Sequence, residues 1–173
     1  MKKGVLIAIA LAIVLSLPFY GYNWNLLMHI FGAVLFMGNI IVTAVWGSLA
    51  KRSGSPEVMR YATRGIVLTD VIFTTPGALL LLLNGGICGT QWFKDGATWI
   101  FVSLGLFVVT GVIWLAVLVP TQRRMLAAAW STTGTDPVPA ETFGLFQRWF
   151  RWGGIATVLV LTVLVLMVWK PAF

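Results

Sequence analysis

Cysteine and histidine are nearly missing from this chain of 173 residues, which has one of each, Cys88 and His29. One cysteine excludes an internal disulfide framework and any zinc or iron–sulfur centre built on Cys ligands. One histidine excludes a His-rich metal centre. Charge is scarce as well: 10% of residues are charged and 59% hydrophobic, against about 25% and about 45–50% in a soluble domain. With a mean hydropathy of +0.93, the chain cannot cover a surface in water, which excludes soluble, disordered and fibrous proteins. A multi-pass membrane protein remains.

Acidic residues are the rarer sign, 5 against 12 Lys and Arg, for a net charge of +7. The basic residues do not form a stripe for nucleic acid. They sit in short clusters beside apolar runs, where they report topology. Crossing about 30 Å of hydrocarbon takes about 20 helical residues. The segments Gly4–Tyr22, Trp24–Ala50, Gly65–Asn84, Ala97–Val119 and Gly153–Trp169 are read as spans. The runs are continuously apolar, whereas strands of a membrane barrel alternate. The expected fold is therefore all-α, a polytopic helical bundle. Residues 1–23 are expected to form an N-terminal anchor helix and residues 24–173 a four-helix transmembrane domain. The anchor is expected to be retained, because Ser16-Leu17-Pro18-Phe19-Tyr20 offers no small-residue cleavage pattern.

Lys2 and Lys3, then Lys51, Arg52, Arg60 and Arg64, then Arg123, Arg124, Arg148 and Arg151 fall on one side of such a bundle. The positive-inside rule makes that side cytoplasmic, with the N-terminus in and the C-terminus out. Aromatic rings prefer the headgroup level. Tyr20, Tyr22, Trp24, Trp92, Trp99 and Trp169 are assigned to the outer boundary, and Trp46, Tyr61, Trp114, Trp149 and Trp152 to the inner one. Ser55 and Pro56 read as a helix cap and first helical residue. A break is expected at Ser131–Pro137. After it, Phe143, Phe146, Trp149 and Phe150 recur at helical spacing beside Arg148 and Arg151, the pattern of an interfacial amphipathic helix.

Polar residues inside apolar spans are the candidate functional residues. His29, Gly32, Phe36, Asn39 and Thr43 are three and four apart and share one helix face. Gly32 and Gly38 admit a neighbouring backbone or a flat ligand. Asp70, Thr74 and Gly77 share a face of the next span, with Thr75 and Pro76 beside them, and the proline should bend it. Counting about 1.5 Å per residue puts Asp70 and Thr43 roughly 8–11 Å deep, as neighbours. Arg60, Arg64, Arg123 and Arg124 ring the same leaflet and would pair with Asp70 structurally; otherwise an intramembrane carboxylate is a functional candidate. Ser103, Thr110, Thr157 and Thr162 read as helix–helix glue. Cys88, in the Gly-rich run Gly85–Gly89, reads as a free thiol.

The block Met28-His29-Ile30-Phe31-Gly32, with Leu35 to Thr43, carries a family likeness. Arg64, Leu68-Thr69-Asp70, Phe73-Thr74, Pro76-Gly77, Trp114-Leu115, Val119-Pro120-Thr121-Gln122, Arg148-Trp149 and Trp152-Gly153 continue it. Together they resemble an uncharacterised family of bacterial integral membrane proteins, domain of unknown function 2269, over roughly Trp24 to Met167. The resemblance implies a small helical bundle in the bacterial inner membrane. A looser similarity runs to copper-resistance membrane proteins and to the membrane-bound protoporphyrinogen oxidase, which carries haem on a histidine early in a helix. It implies His29 as a haem-iron ligand, with Gly32 leaving room for the ring. No lysine lies inside any span to match the intramembrane lysine of that oxidase family, which weighs against an enzymatic activity.

Three functions follow as expectations. One is a redox-associated protein binding b-type haem or a quinone. Another is a non-catalytic accessory subunit of a membrane complex, with other membrane subunits or further copies of this chain as partners. The third is a small ion or solute transporter using Asp70 and Asn39. The lipid bilayer is the expected partner in all three, and nucleic acid in none.

Overall fold

The computed structural model describes residues 2–131 and 140–172. Among them every regular element is helical. Helix α1 is Lys2–Leu15, followed by a short 3-10 turn at Pro18–Tyr20; α2 is Tyr22–Ser53. Helix α3 runs from Pro56 to Cys88 with a π turn at Asp70–Thr74, and α4 is the short Thr90–Lys94. Helix α5 comprises Thr98–Ile113, a second π turn at Trp114–Leu118, and Val119–Ser131; α6 is Ala140–Trp169. The break expected at Ser131–Pro137 lies, from Thr132 on, outside the described residues.

Four helices, α2, α3, α5 and α6, are long and apolar enough to cross a membrane. In hydrocarbon each backbone polar group needs an internal partner, which a helix supplies within one segment. The first segment falls short of the expected span Gly4–Tyr22. Its helix ends at Leu15 after 14 residues, a rise of about 21 Å. The cause is Pro18, which disfavours the α region for the residue before it; Leu17 is extended at φ −72°, ψ 134°. The expected cap at the start of α3 is present: Val58 N–H donates to Ser55 Oγ at 3.4 Å, with Pro56 in the first turn.

Both π turns precede a proline at the same offset. Thr75 N–H reaches back to Asp70 O ahead of Pro76, and Val119 N–H to Trp114 O ahead of Pro120. Proline has no N–H and its ring crowds the carbonyl four residues back. One widened turn relieves that crowding without ending the helix. Hydroxyls support the altered carbonyls: Thr75 Oγ1 donates to Asp70 O at 3.0 Å, and Thr121 Oγ1 to Val117 O at 2.6 Å.

The chain forms two compact units. The first unites residues 1–43 with 68–95, that is α1, most of α2 and the second half of α3. Here α1 packs along α3 and its π turn, around Ala12, Met28 and Leu80. Two polar links hold it. Trp24 Nε1–H donates to Leu15 O at 3.0 Å, and Asn84 Nδ2 donates to Ser16 Oγ at 2.7 Å.

The second unit unites residues 44–67 with 96–173. Its core is Ala50, Met59, Ala62, Ile66, Leu118, Met125, Phe146, Trp149 and Ala156. This corrects the reading of residues 143–150 as an interfacial helix. They belong to the continuous helix α6, and Phe146 and Trp149 are buried against α2, α3 and α5 residues of the same unit. Gly47 makes room for them: a Cβ there would lie 2.8 Å from Trp149 Cζ3. The aromatic assignments divide accordingly. Tyr61 and Trp169 are exposed, while Trp149 and Trp99 are core residues.

Candidate functional site: a polar seam between α2 and α3

In the first unit the polar face of α2 meets the second half of α3. Asn39 Nδ2 donates to Asp70 Oδ1 at 2.8 Å and to Thr74 Oγ1 at 2.7 Å. Thr74 Oγ1 in turn donates to Asp70 Oδ1 at 2.8 Å. These bonds close a ring of three side chains, all buried. An asparagine amide has two N–H donors, and a threonine hydroxyl can accept and donate at once; both capacities are used. Asp70 is the first residue of the π turn and Thr74 the last. The site therefore stands where the backbone pattern of α3 is interrupted.

Thr43, expected beside Asp70, bonds instead to its own helix, donating to Asn39 O at 2.7 Å and Ile40 O at 3.2 Å. The α2 partner of Asp70 lies one turn earlier, at Asn39.

Further along the seam, Gly32 and Gly77 let the two backbones touch. A Cβ on Gly32 would lie 2.9 Å from Gly77 O, Leu80 Cβ and Leu81 N. A Cβ on Gly77 would lie 3.0 Å from Gly32 O and Phe36 N. The room expected at Gly32 for a flat ring is thus filled by α3. His29 is half-buried, and its Nδ1 pairs with Leu81 O at 2.9 Å. The imidazole lies over Gly85, where a Cβ would come within 2.8 Å of Cε1. The residues about His29 and Gly32 therefore do not fit a haem. Among the described residues no three His, Cys, Asp or Glu side chains gather as a metal site.

A second polar group lies toward the other end of the seam, and the sequence reading did not single it out. Asn84 Nδ2 donates to Ser16 Oγ and to Leu80 O, and Ser16 Oγ donates to Ala12 O. Asn25 Nδ2 donates to Gly21 O. Asparagines inside otherwise apolar helices were the available signal for Asn25 and Asn84. Cys88, the single cysteine, ends the helical part of α3.

Four apolar membrane-length helices, polar side chains turned onto one another and apolar ones turned outward define a multi-pass integral membrane protein. Residues 25–171 match the family described as "Predicted integral membrane protein (DUF2269)". The chain belongs to that family, whose description carries no activity. No curated protein and no solved structure matches it. The likeness to copper-resistance and haem proteins finds no counterpart in these comparisons.

Proposed function

We propose that this protein handles protons within the bacterial inner membrane, N-terminus cytoplasmic and C-terminus outside, with Asp70 as the group that takes up and releases the proton. The observation that carries the reading is the closed ring of Asn39, Asp70 and Thr74 at a π turn. Carboxylates within the membrane are costly and mark ion pathways and proton relays. π turns inside α-helices concentrate at functional sites. The ring chemistry favours a proton over a metal cation, since Asp70 Oδ1 faces N–H and O–H donors where a cation would need oxygen lone pairs. When Asp70 gains a proton, the Asn39 amide can turn to present its oxygen as acceptor. That turn keeps a hydrogen bond between Asn39 and Asp70 in both protonation states. The haem reading has no support in the packing around Gly32, and no step is assigned to it.

Reconstitution into liposomes tests the proposal. With a pH gradient across the bilayer, wild-type protein should dissipate the gradient at least tenfold faster than empty liposomes. Asp70→Asn should fall to the empty-liposome rate, and Thr43→Val should keep the wild-type rate. Wild-type flux in a folded Asp70→Asn protein would reject the proposal.

A further inference from the structure

The second unit contains a basic cavity that the proton site does not involve. It measures about 640 Å³ and is lined by Ser48, Lys51 and Arg52 from the end of α2 and by Gln147, Phe150 and Arg151 from α6. Three of these six side chains are cations and none is a carboxylate. A smaller cavity of about 320 Å³ is lined by Gly144, Gln147, Arg148, Arg151 and Trp152. It shares Gln147 and Arg151 with the first and adds a fourth cation.

We infer that this cavity seats the phosphate of an anionic phospholipid headgroup, with Lys51, Arg52 and Arg151 around the phosphate oxygens. Guanidinium groups bind phosphate through paired N–H donors, and lysine acts as a point charge. Ser48 and Gln147 line the same cavity and add neutral hydrogen-bonding capacity. Basic pockets between membrane helices are recurrent headgroup sites.

The surroundings favour a lipid over free phosphate. Along α2, within two turns before Lys51, the side chains of Val45, Trp46 and Leu49 are exposed. Along α6, beyond Arg151, Ile155 and Val158 are exposed. Apolar helix surface thus leads away from the cavity on both of its walls, where acyl chains would lie. Phe150 lines the cavity beside the three cations. The walls are held together by Gly47, over which Trp149 and Phe150 pack.

Lipid binding to the purified full-length protein decides the matter, measured in neutral detergent by native mass spectrometry with phosphatidylglycerol, phosphatidylcholine and inorganic phosphate as probes. Wild-type protein should hold phosphatidylglycerol at least tenfold more tightly than phosphatidylcholine, and excess inorganic phosphate should not displace it. Lys51→Gln with Arg151→Gln should lower phosphatidylglycerol affinity at least tenfold. Arg123→Gln with Arg124→Gln removes the same charge from α5 and should change it less than twofold. Equal losses in the two double variants would overturn the proposal in favour of diffuse attraction. Displacement by inorganic phosphate would overturn the lipid assignment. If the cavity variant does not fold, the wild-type comparison still decides, since equal retention of the two lipids contradicts a headgroup seat.

Discussion

Replacing Gly32 by alanine adds one methyl group where the backbones of α2 and α3 touch. That methyl would lie 2.9 Å from two backbone atoms, Gly77 O and Leu81 N, and from Leu80 Cβ. No flexible side-chain end is available to yield, so the helices must separate. Overpacking of this kind costs about 1–3 kcal/mol. Alanine also removes the entropic penalty of glycine inside a helix, a gain of about 0.5–1 kcal/mol. The net expectation is a loss of about 1 kcal/mol, the midpoint of a span of roughly 0–2.5. Gly38 lies on the same helix with nothing within 4 Å of its would-be Cβ. Gly38→Ala should therefore show only the gain. Thermal unfolding in one detergent should place Gly32→Ala below wild type by several degrees and Gly38→Ala at or above it, using about 2–4 °C per kcal/mol for a chain of this size. Equal midpoints for the two variants would refute the close crossing. So would a more stable Gly32→Ala.

Other consequences are as direct. Asn39→Leu removes both Nδ2 bonds of the ring and should cost about 1–3 kcal/mol, the usual penalty for stranding a buried polar group, whereas the exposed Asn23→Leu should be near neutral in the same unfolding assay. Phe146→Ala empties a fully buried site in the second unit and should cost about 3–5 kcal/mol; Tyr61→Ala, at an 82% exposed side chain, should stay within about 0.5 kcal/mol. A topology reporter fused after Phe173 should read as extracytoplasmic and one inserted at 132–136 as cytoplasmic; the opposite pattern contradicts the orientation. Protein produced with haem in excess should show no Soret band that His29→Ala removes, and such a band would reopen the space argued to be closed at Gly32.

Much of the architecture was legible because hydrocarbon demands long apolar helices, and the composition leaves few alternatives. The cap at Ser55 and the shared faces of α2 and α3 were legible for the same reason, as local spacing. Contacts between distant segments were not. The bond from Asn84 to Ser16 joins residues 68 apart, and nothing local marks Ser16 as more than a polar residue near a proline. The stripe of Phe143, Phe146, Trp149 and Phe150 has the same periodicity whether it rests on a membrane surface or fills a core. Only the partners Met59, Ala62 and Met125 decide between the two. The π turns escaped because a proline inside a helix signals a disturbance without naming its form. Asp70 was legible as a candidate from its chemistry, while its partner required the register of α3.

The proton on Asp70 can be observed directly. Difference infrared spectra of the reconstituted protein, recorded as the pH is stepped, isolate the carboxyl group that gains a proton within the bilayer. The account predicts a protonated-carboxyl band that grows on acidification, shifts on exchange into heavy water, is absent from Asp70→Asn and persists in Asp95→Asn. A band that survives Asp70→Asn unchanged, or no pH-dependent carboxyl band in the wild type, would contradict Asp70 as the proton-carrying group.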